Sequence, residues 1–247
     1  MGKTTTAVNL GSYLAAFDKK VLLVDIDPQS NATSGLGIDV KGIKDGIYDS
    51  LIGRKKISEI IYSTKQEKLD IAPSSIDLAG AGIELAGLEN WEFRLLHALE
   101  EIKNKYDYIL IDSPPSLGIL TINGLVASTS VLIPVQAEYY ALEGLEQLLN
   151  TITLVKENLN PGLGILGAVI TMFDKRVNLS QEVFNELYKY FPNKIFRSIV
   201  PRNIRLTEAP SHGKTILEYE PESNGAKSYE KLAREIIDLI ELDNLEL

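Results

Sequence analysis

Apolar positions recur along this chain at two spacings, and the two alternate. Lys3 to Phe17 sets Ala7, Val8, Leu10, Leu14, Ala15 and Phe17 on one side of a helix, with a polar side opposite. Asp18-Lys19-Lys20 ends that pattern. Val21-Leu22-Leu23-Val24 follows as a continuous apolar run closing in Asp25-Ile26-Asp27-Pro28-Gln29. A run apolar on both faces predicts a buried parallel strand with helices covering each side. Pro28 stops it, and Ser30 to Gly37 reads as a loop. Gly46 to Leu51 predicts a short helix, Ile57 to Tyr62 a helical turn or an edge strand, and Leu69 to Pro73 a short strand. Helical spacing returns over Ile76 to Leu88 and Trp91 to Lys103, interrupted near Gly87.

Tyr106 to Asp112 is a second long apolar strand, again ended by an aspartate, and Ser113-Pro114-Pro115-Ser116 follows as a stiff loop. Beyond it the pattern predicts a helix over Gly118 to Ala127, a strand over Ser130 to Val135 and a long helix over Ala141 to Leu159. A strand over Leu163 to Met172, a helix over Leu179 to Phe191 and a strand over Ile195 to Val200 come next. Pro201 to Ala209 reads as a loop or helical turn, and Ser223 to Leu242 as the closing helix. Strands alternating with helices predict an α/β fold, a doubly wound and mostly parallel sheet flanked by helices, in a single domain over residues 1–247. No repeat, low-complexity tract or linker interrupts it.

Composition narrows the chemistry. There is no cysteine, which excludes disulfides, thiolate zinc sites, cysteine-ligated iron–sulfur clusters and cysteine nucleophiles, and fits a reducing, cytoplasmic setting. No apolar run approaches the roughly 18 residues needed to cross a bilayer. The net charge of −9 argues against a wholly basic nucleic-acid binder. The charge is uneven, however. Residues 171–214 hold eight Lys/Arg against four Asp/Glu, leaving 17 basic and 30 acidic residues elsewhere. A basic island on an acidic body can bind polyanions through that face.

Three separated pieces suggest one site. Gly2-Lys3-Thr4-Thr5 enters a helix as the back half of a phosphate-binding loop would, with Lys3 for the β- and γ-phosphates and the Thr4 hydroxyl for Mg²⁺. Asp112, ending its strand, has the form of a carboxylate that holds Mg²⁺ through a water. Asp27 is the candidate for orienting the attacking water. Asp25 lies on the same side of its strand by period-2 alternation and is a candidate support for the metal shell. His97, His212, Trp91 and the Tyr139-Tyr140 pair read as surface or packing residues.

Val21 to Gly37 (VLLVDIDPQSNATSGLG) resembles the matching stretch of the ParA/Soj partitioning ATPases, P-loop proteins with a deviant Walker A motif that also include MinD and the nitrogenase iron protein. The resemblance continues through Ile109 to Leu120 (ILIDSPPSLGIL), Val135 to Leu145 (VQAEYYALEGL) and Val200 to Thr215 (VPRNIRLTEAPSHGKT), and covers essentially the whole chain. It implies ATP and Mg²⁺ as cofactors. Gly2, Lys3, Thr4 and Thr5 would contact phosphate or metal, Asp27 the hydrolytic water, Asp112 the metal shell, and Pro201 and Asn203 the adenine. Arg176 and Arg205 match positions the family uses on DNA, and both fall in the basic island. The resemblance further implies an ATP-sandwich homodimer that coats DNA without sequence preference. A centromere-binding ParB/Spo0J-type partner would stimulate hydrolysis, in a cytoplasmic, nucleoid-associated cycle with no membrane step.

The family opens with a strand and Lys-Gly-Gly-x-Gly-Lys-Thr, whereas here Met1 stands at the x. The absent strand belongs inside the sheet and the absent lysine reaches across the dimer. The expectation is therefore either poor folding as written or, the favoured reading, a shortened record of a longer protein, with little or no dimer-dependent ATPase activity in this chain. Two other readings remain. One is a MinD-like membrane-associated ATPase, opposed by the acidic tail with Asp238, Glu241, Asp243 and Glu246. The other is a nucleotide-dependent interaction module without turnover. The lack of cysteine removes a cluster-carrying relative of the iron protein.

Overall fold

The structure is a computed structural model, described here over residues 2–138, 141–174 and 176–243. In chain order it runs α1 (Lys3–Ala16), β1 (Val21–Asp25), α2 (Asn31–Gly35), α3 (Ile47–Leu51), β2 (Tyr62–Ser63), β3 (Leu69–Ala72), α4 (Ala81–Ala86), α5 (Arg94–Glu100) and β4 (Tyr108–Asp112). The second half runs α6 (Ile119–Val126), β5 (Ser130–Gln136), α7 (Ala141–Asn158), β6 (Gly164–Phe173), α8 (Asn178–Tyr190), β7 (Ile195–Pro201), α9 (Ile204–Glu208), α10 (Ile216–Tyr219) and α11 (Asn224–Asp243). The α/β alternation expected from the sequence is present. All pairings except the short β2–β3 contact are parallel.

The strands form two sheets rather than one, ordered β2-β3-β1-β4 and β5-β6-β7. Among the described residues no strand pairs with the outer edge of β4 or of β5. The consequence shows in burial: all five residues of β1 are buried, whereas Tyr108 to Ile111 of β4 are only half-buried. The period-2 rule sorts β1 onto two cores. Val21 and Leu23 join α1 and α11 over one face, a layer that also reaches Val169 of β6 and Val200 of β7. Leu22 and Val24 face α3, α4 and α5 on the other side. A third core packs α6, α7 and α8 against Ile133, Val135, Ala168 and Ile170. Helices α1 and α11 therefore span both sheets.

Several boundaries differ from expectation for local reasons. Ser30 to Gly37 contains the helix α2, started at Ser30 in the left-handed region (φ 53°). The run Trp91 to Lys103 holds only seven α-helical residues, because Asn90 at φ 53° leads first into a tight helical turn over Trp91–Phe93. Trp91 packs on the α3–α5 core, His97 stacks on Phe93 and His212 on Tyr219, as packing residues do. Tyr139, Tyr140 and Lys175 lie outside the described residues.

Candidate active site

Parallel pairing of β1 with β4 in register sets Asp25 directly opposite Asp112 at the C-terminal ends of both strands. That end of an α/β sheet is where such folds bind ligands. The N-terminus of α1 faces the same edge. Gly2 precedes it at φ 73°, a conformation that suits a residue without Cβ; a Cβ there would sit 3.3 Å from Thr171 Oγ1 on β6. Its carbonyl accepts the Thr6 N–H at 2.9 Å and so starts the helix. The first turn carries no acidic side chain. Its free N–H groups and the positive end of the helix dipole are therefore available to an anion.

Lys3 Nζ donates to the Pro114 carbonyl at 2.6 Å, tying the helix start to the Ser113–Ser116 loop. Burial lowers the pKa of its amine, while the charges of Asp112 and Asp27 push it back up. Asp112 is 2 % exposed. Burial, with the nearby charges of Asp25 and Asp27, pushes its carboxyl up to about 7, against the opposing Thr4 hydrogen bond and the Lys3 charge. Its Oδ2 is buried with no hydrogen-bond partner. Lys3, Asp27 and Asp112 thus share one electrostatic neighbourhood, although they are far apart in sequence.

Asp25, fully buried, is raised to about 6 by burial. Both its oxygens are engaged: Oδ1 accepts the Asp27 N–H at 3.1 Å, and Oδ2 accepts the Thr33 N–H at 2.9 Å and hydroxyl at 2.7 Å. Asp27, 6 % exposed, accepts the Gln29 N–H on Oδ1 at 3.0 Å. Thr33, Ser74 and Thr171 also belong to this region, and sequence reading passed over all three; the Pro114 carbonyl comes from the stiff loop after β4 that the sequence had marked. For Thr33 a signal existed, a hydroxyl residue eight positions after a strand-ending aspartate. For Ser74 and Thr171 none did, since each arrives from another strand.

Among the described residues no group of three or more His, Cys, Asp or Glu side chains could hold a metal by itself. Mg²⁺ does not need such a cage; it typically takes one or two carboxylates plus substrate phosphates and water. The hard oxygens of Thr4 and Asp112, one of them an orphaned buried carboxylate oxygen, fit that demand.

The remaining candidates sit at the ends of β6 and β7. Pro201 ends β7 beside Phe173 of β6, and Asn203 caps α9, its Oδ1 accepting the Arg205 N–H at 2.8 Å. Arg176 is well exposed and held in a two-point ion pair by Asp174 at 2.9 and 2.7 Å. Arg205 pairs with Glu208 at 2.9 Å and Arg202 with Glu138 at 3.4 Å. The basic island does not form one surface. Arg176, Arg202 and Arg205 follow the C-terminal ends of β6 and β7, whereas Lys189, Lys194 and Arg197 lie toward the opposite end of β7.

A sequence profile described as an AAA domain matches residues 1–165. The chain is 56% identical to the sporulation initiation inhibitor protein Soj of Bacillus subtilis, over 96% of this chain and 93% of that protein. It is 51% identical to the chromosome partitioning protein ParA of Myxococcus xanthus, over 96% of this chain and 84% of that one. Among solved structures, a protein from Mycobacterium smegmatis described as cobyrinic acid a,c-diamide synthase, with bound ATP analog and magnesium, superposes with a TM-score of 0.86. That match has 32% sequence identity and covers 97% of this chain and 91% of the other.

Proposed function

Because the chain belongs to the Soj/ParA family of chromosome-partitioning ATPases, we propose that it binds Mg²⁺–ATP between the start of α1 and the aspartates ending β1 and β4. In this reading it dimerises on the nucleotide, coats DNA without sequence preference, and hydrolyses ATP under stimulation by a ParB/Spo0J-type partner. The observation that carries the reading is the meeting of Lys3, Asp27 and the unpartnered Asp112 Oδ2 beside the open N–H groups of α1. Lys3 supplies a point charge to the phosphates, for which it leaves the Pro114 carbonyl. Gly2 lets the backbone approach the ligand, and the first-turn N–H groups, Thr5 included, cradle its charge. Thr4 and Asp112 would hold Mg²⁺, which would supply positive charge to the phosphates. Asp27 orients the attacking water, and Pro201 and Asn203 flank the base.

The DNA face is Arg176, Arg202 and Arg205. Each arginine is offset by a neighbouring carboxylate. Exposed pairs of this kind are worth only about 0–1 kcal/mol, so a phosphate backbone can displace them. That face supports a nucleoid-associated role. A membrane-docking role, which needs an amphipathic helix free to lie on lipid, finds less support. The apolar side of α11, through Leu232, Ala233 and Ile236, is already buried in the core.

Asp27→Ala tests the reading. The variant is expected to bind a fluorescent ATP analogue within about twofold of the parent, to lose hydrolysis by roughly a hundredfold or more, and to stay on DNA once loaded. Parental turnover would mean that another group positions the water.

A further inference from the structure

We propose that Thr33 and Ser74 are positioning residues for Asp27, closing a buried hydrogen-bond ring in which Asp25 is the anchor and not a metal ligand. The proposal rests on the assignment of Asp27 to the hydrolytic water. The ring can be walked atom by atom. The Asp27 N–H donates to Asp25 Oδ1 at 3.1 Å, and Asp25 Oδ2 accepts the Thr33 hydroxyl at 2.7 Å. That same Thr33 oxygen accepts the Ser74 N–H at 3.0 Å, and the Ser74 hydroxyl returns to the Asp27 carbonyl at 2.7 Å. The peptide groups on both sides of the Asp27 side chain are therefore fixed, one through β1 and α2, the other through the end of β3. Asp25, Thr33 and Ser74 are each 0 % exposed. Water therefore has no ready way to substitute for a lost partner.

Two features say the ring serves geometry more than bulk stability. First, Thr33 makes three bonds in the ring, its hydroxyl donating to one partner and accepting from another while its N–H bonds Asp25 as well. A valine of the same shape would keep the packing and lose all the hydroxyl chemistry. Second, Pro73, directly before Ser74, accepts the Ile47 N–H at 2.8 Å, so the ring is braced against the start of α3. Asp27 itself sits beyond the end of β1 in a segment whose own contacts are local, the Gln29 and Ser30 N–H groups folding back on it at 3.0 and 2.9 Å. The Ile26 N–H donates to the Asp112 carbonyl at 2.9 Å and so fixes the chain just before Asp27, while the ring fixes the peptide groups of Asp27 itself. A displacement of about 1 Å in a positioning group can lower turnover a hundredfold.

The test compares Thr33→Val, Thr33→Ser and Ser74→Ala with the parent and with Asp27→Ala. It uses steady-state hydrolysis of Mg²⁺–ATP in the presence of DNA and partner, with Mg²⁺ half-saturation measured separately. Thr33→Val and Ser74→Ala are expected to lose roughly tenfold to a hundredfold in kcat, with KM for ATP and the Mg²⁺ half-saturation within about twofold of the parent. Thr33→Ser, which keeps the hydroxyl, is expected to recover most of the rate, whereas a purely steric role for Thr33 would reverse that ranking. If Asp27→Ala is inactive while both Thr33→Val and Ser74→Ala turn over at the parental kcat, the ring does not position Asp27. Should Thr33→Val raise the Mg²⁺ half-saturation severalfold, Asp25 is acting on the metal and the proposal fails. Asp27→Ala turning over at the parental rate would instead sink the underlying assignment. Ser74→Ala removes only the bond to the Asp27 carbonyl, so it decides the matter if Thr33→Val does not fold.

Discussion

Replacing Asp112 with asparagine should make the ligand-free protein more stable, by an amount that depends on pH in a specified way. The carboxyl ordinarily titrates near 3.8 and in the folded chain near 7, chiefly because burial penalises its charge. Below about pH 4 both folded and unfolded chains carry the proton and the group contributes no difference. As the pH rises from about 4 to 7, the unfolded chain releases the proton while the folded chain retains it, so folding loses stability across that window. Above 7 both are ionised and the penalty stays constant. A gap of about three pH units at 1.36 kcal/mol each gives up to about 4 kcal/mol. With the residue 2 % exposed, solvent screens little of it.

Asp112→Asn keeps an oxygen for Thr4 and has the shape of the protonated acid, so it removes this titration and little else. Urea unfolding in Mg²⁺-free, nucleotide-free buffer should place the midpoint of the variant above that of the parent by roughly 1 M at pH 8. The difference should shrink toward zero by about pH 4. Adding Mg²⁺ and nucleotide should stabilise the parent more than the variant, because only the parent retains the carboxylate that the metal shell uses. A variant no more stable than the parent at pH 8, or an advantage that does not narrow on acidification, would mean that Asp112 is not a buried charge held there at a cost.

Other substitutions probe the neighbouring surfaces. Arg205→Glu should weaken DNA binding at every sequence alike and flatten the salt dependence by about one phosphate contact; unchanged affinity at low salt in a filter-binding or anisotropy assay would exclude that face. Gly37→Ala should cost about 1–3 kcal/mol in a denaturation experiment. Gly37 sits at φ 78°, and a Cβ there would lie 2.8 Å from the Gly213 carbonyl. A stability equal to the parent would show that the loop after α2 does not bear on the segment around Gly213.

Much of this site could be read from the chain because its key residues end long apolar strands. Val21 to Val24 and Tyr108 to Ile111 announce buried parallel strands, and the aspartates that follow them can only lie at the ligand-binding edge. Period-2 spacing also brought Asp25 and Asp27 together, though it could not show that Asp25 accepts the Asp27 N–H. What stayed hidden depends on long-range closure. Ser74 reaches Asp27 across 47 residues and Lys3 reaches Pro114 across 111. Helix α2 was read as a loop because Ser, Asn, Thr and Gly favour non-helical backbone. There Thr33 has a stronger partner in Asp25, and that tertiary bond overrides local preference. The basic island misled in another way: sequence proximity merged charges that β7 separates end from end.

The distribution of unfavourable terms argues independently for where the chemistry lies. Polar side chains deep in the rest of the molecule are fully matched: Asn9 Oδ1 accepts the Ile216 N–H at 2.7 Å, and Ser12 is bonded to both Gln66 and Thr215. Among the described residues only two buried side-chain polar atoms lack a partner, Asp112 Oδ2 and the Ser75 hydroxyl. One is the atom assigned to the metal shell, and the other is adjacent to Ser74 of the ring. To these the same edge adds two carboxyls raised by burial, a half-buried lysine and backbone in the left-handed region at Gly2 and Ser30. A packing role explains none of these, since an apolar or neutral side chain would serve each place at lower cost. A negatively charged phosphate chain carrying a divalent cation would meet the lysine, the open N–H groups and the orphaned carboxylate at once, which is why buried charge and an unpartnered carboxylate oxygen coincide at this edge.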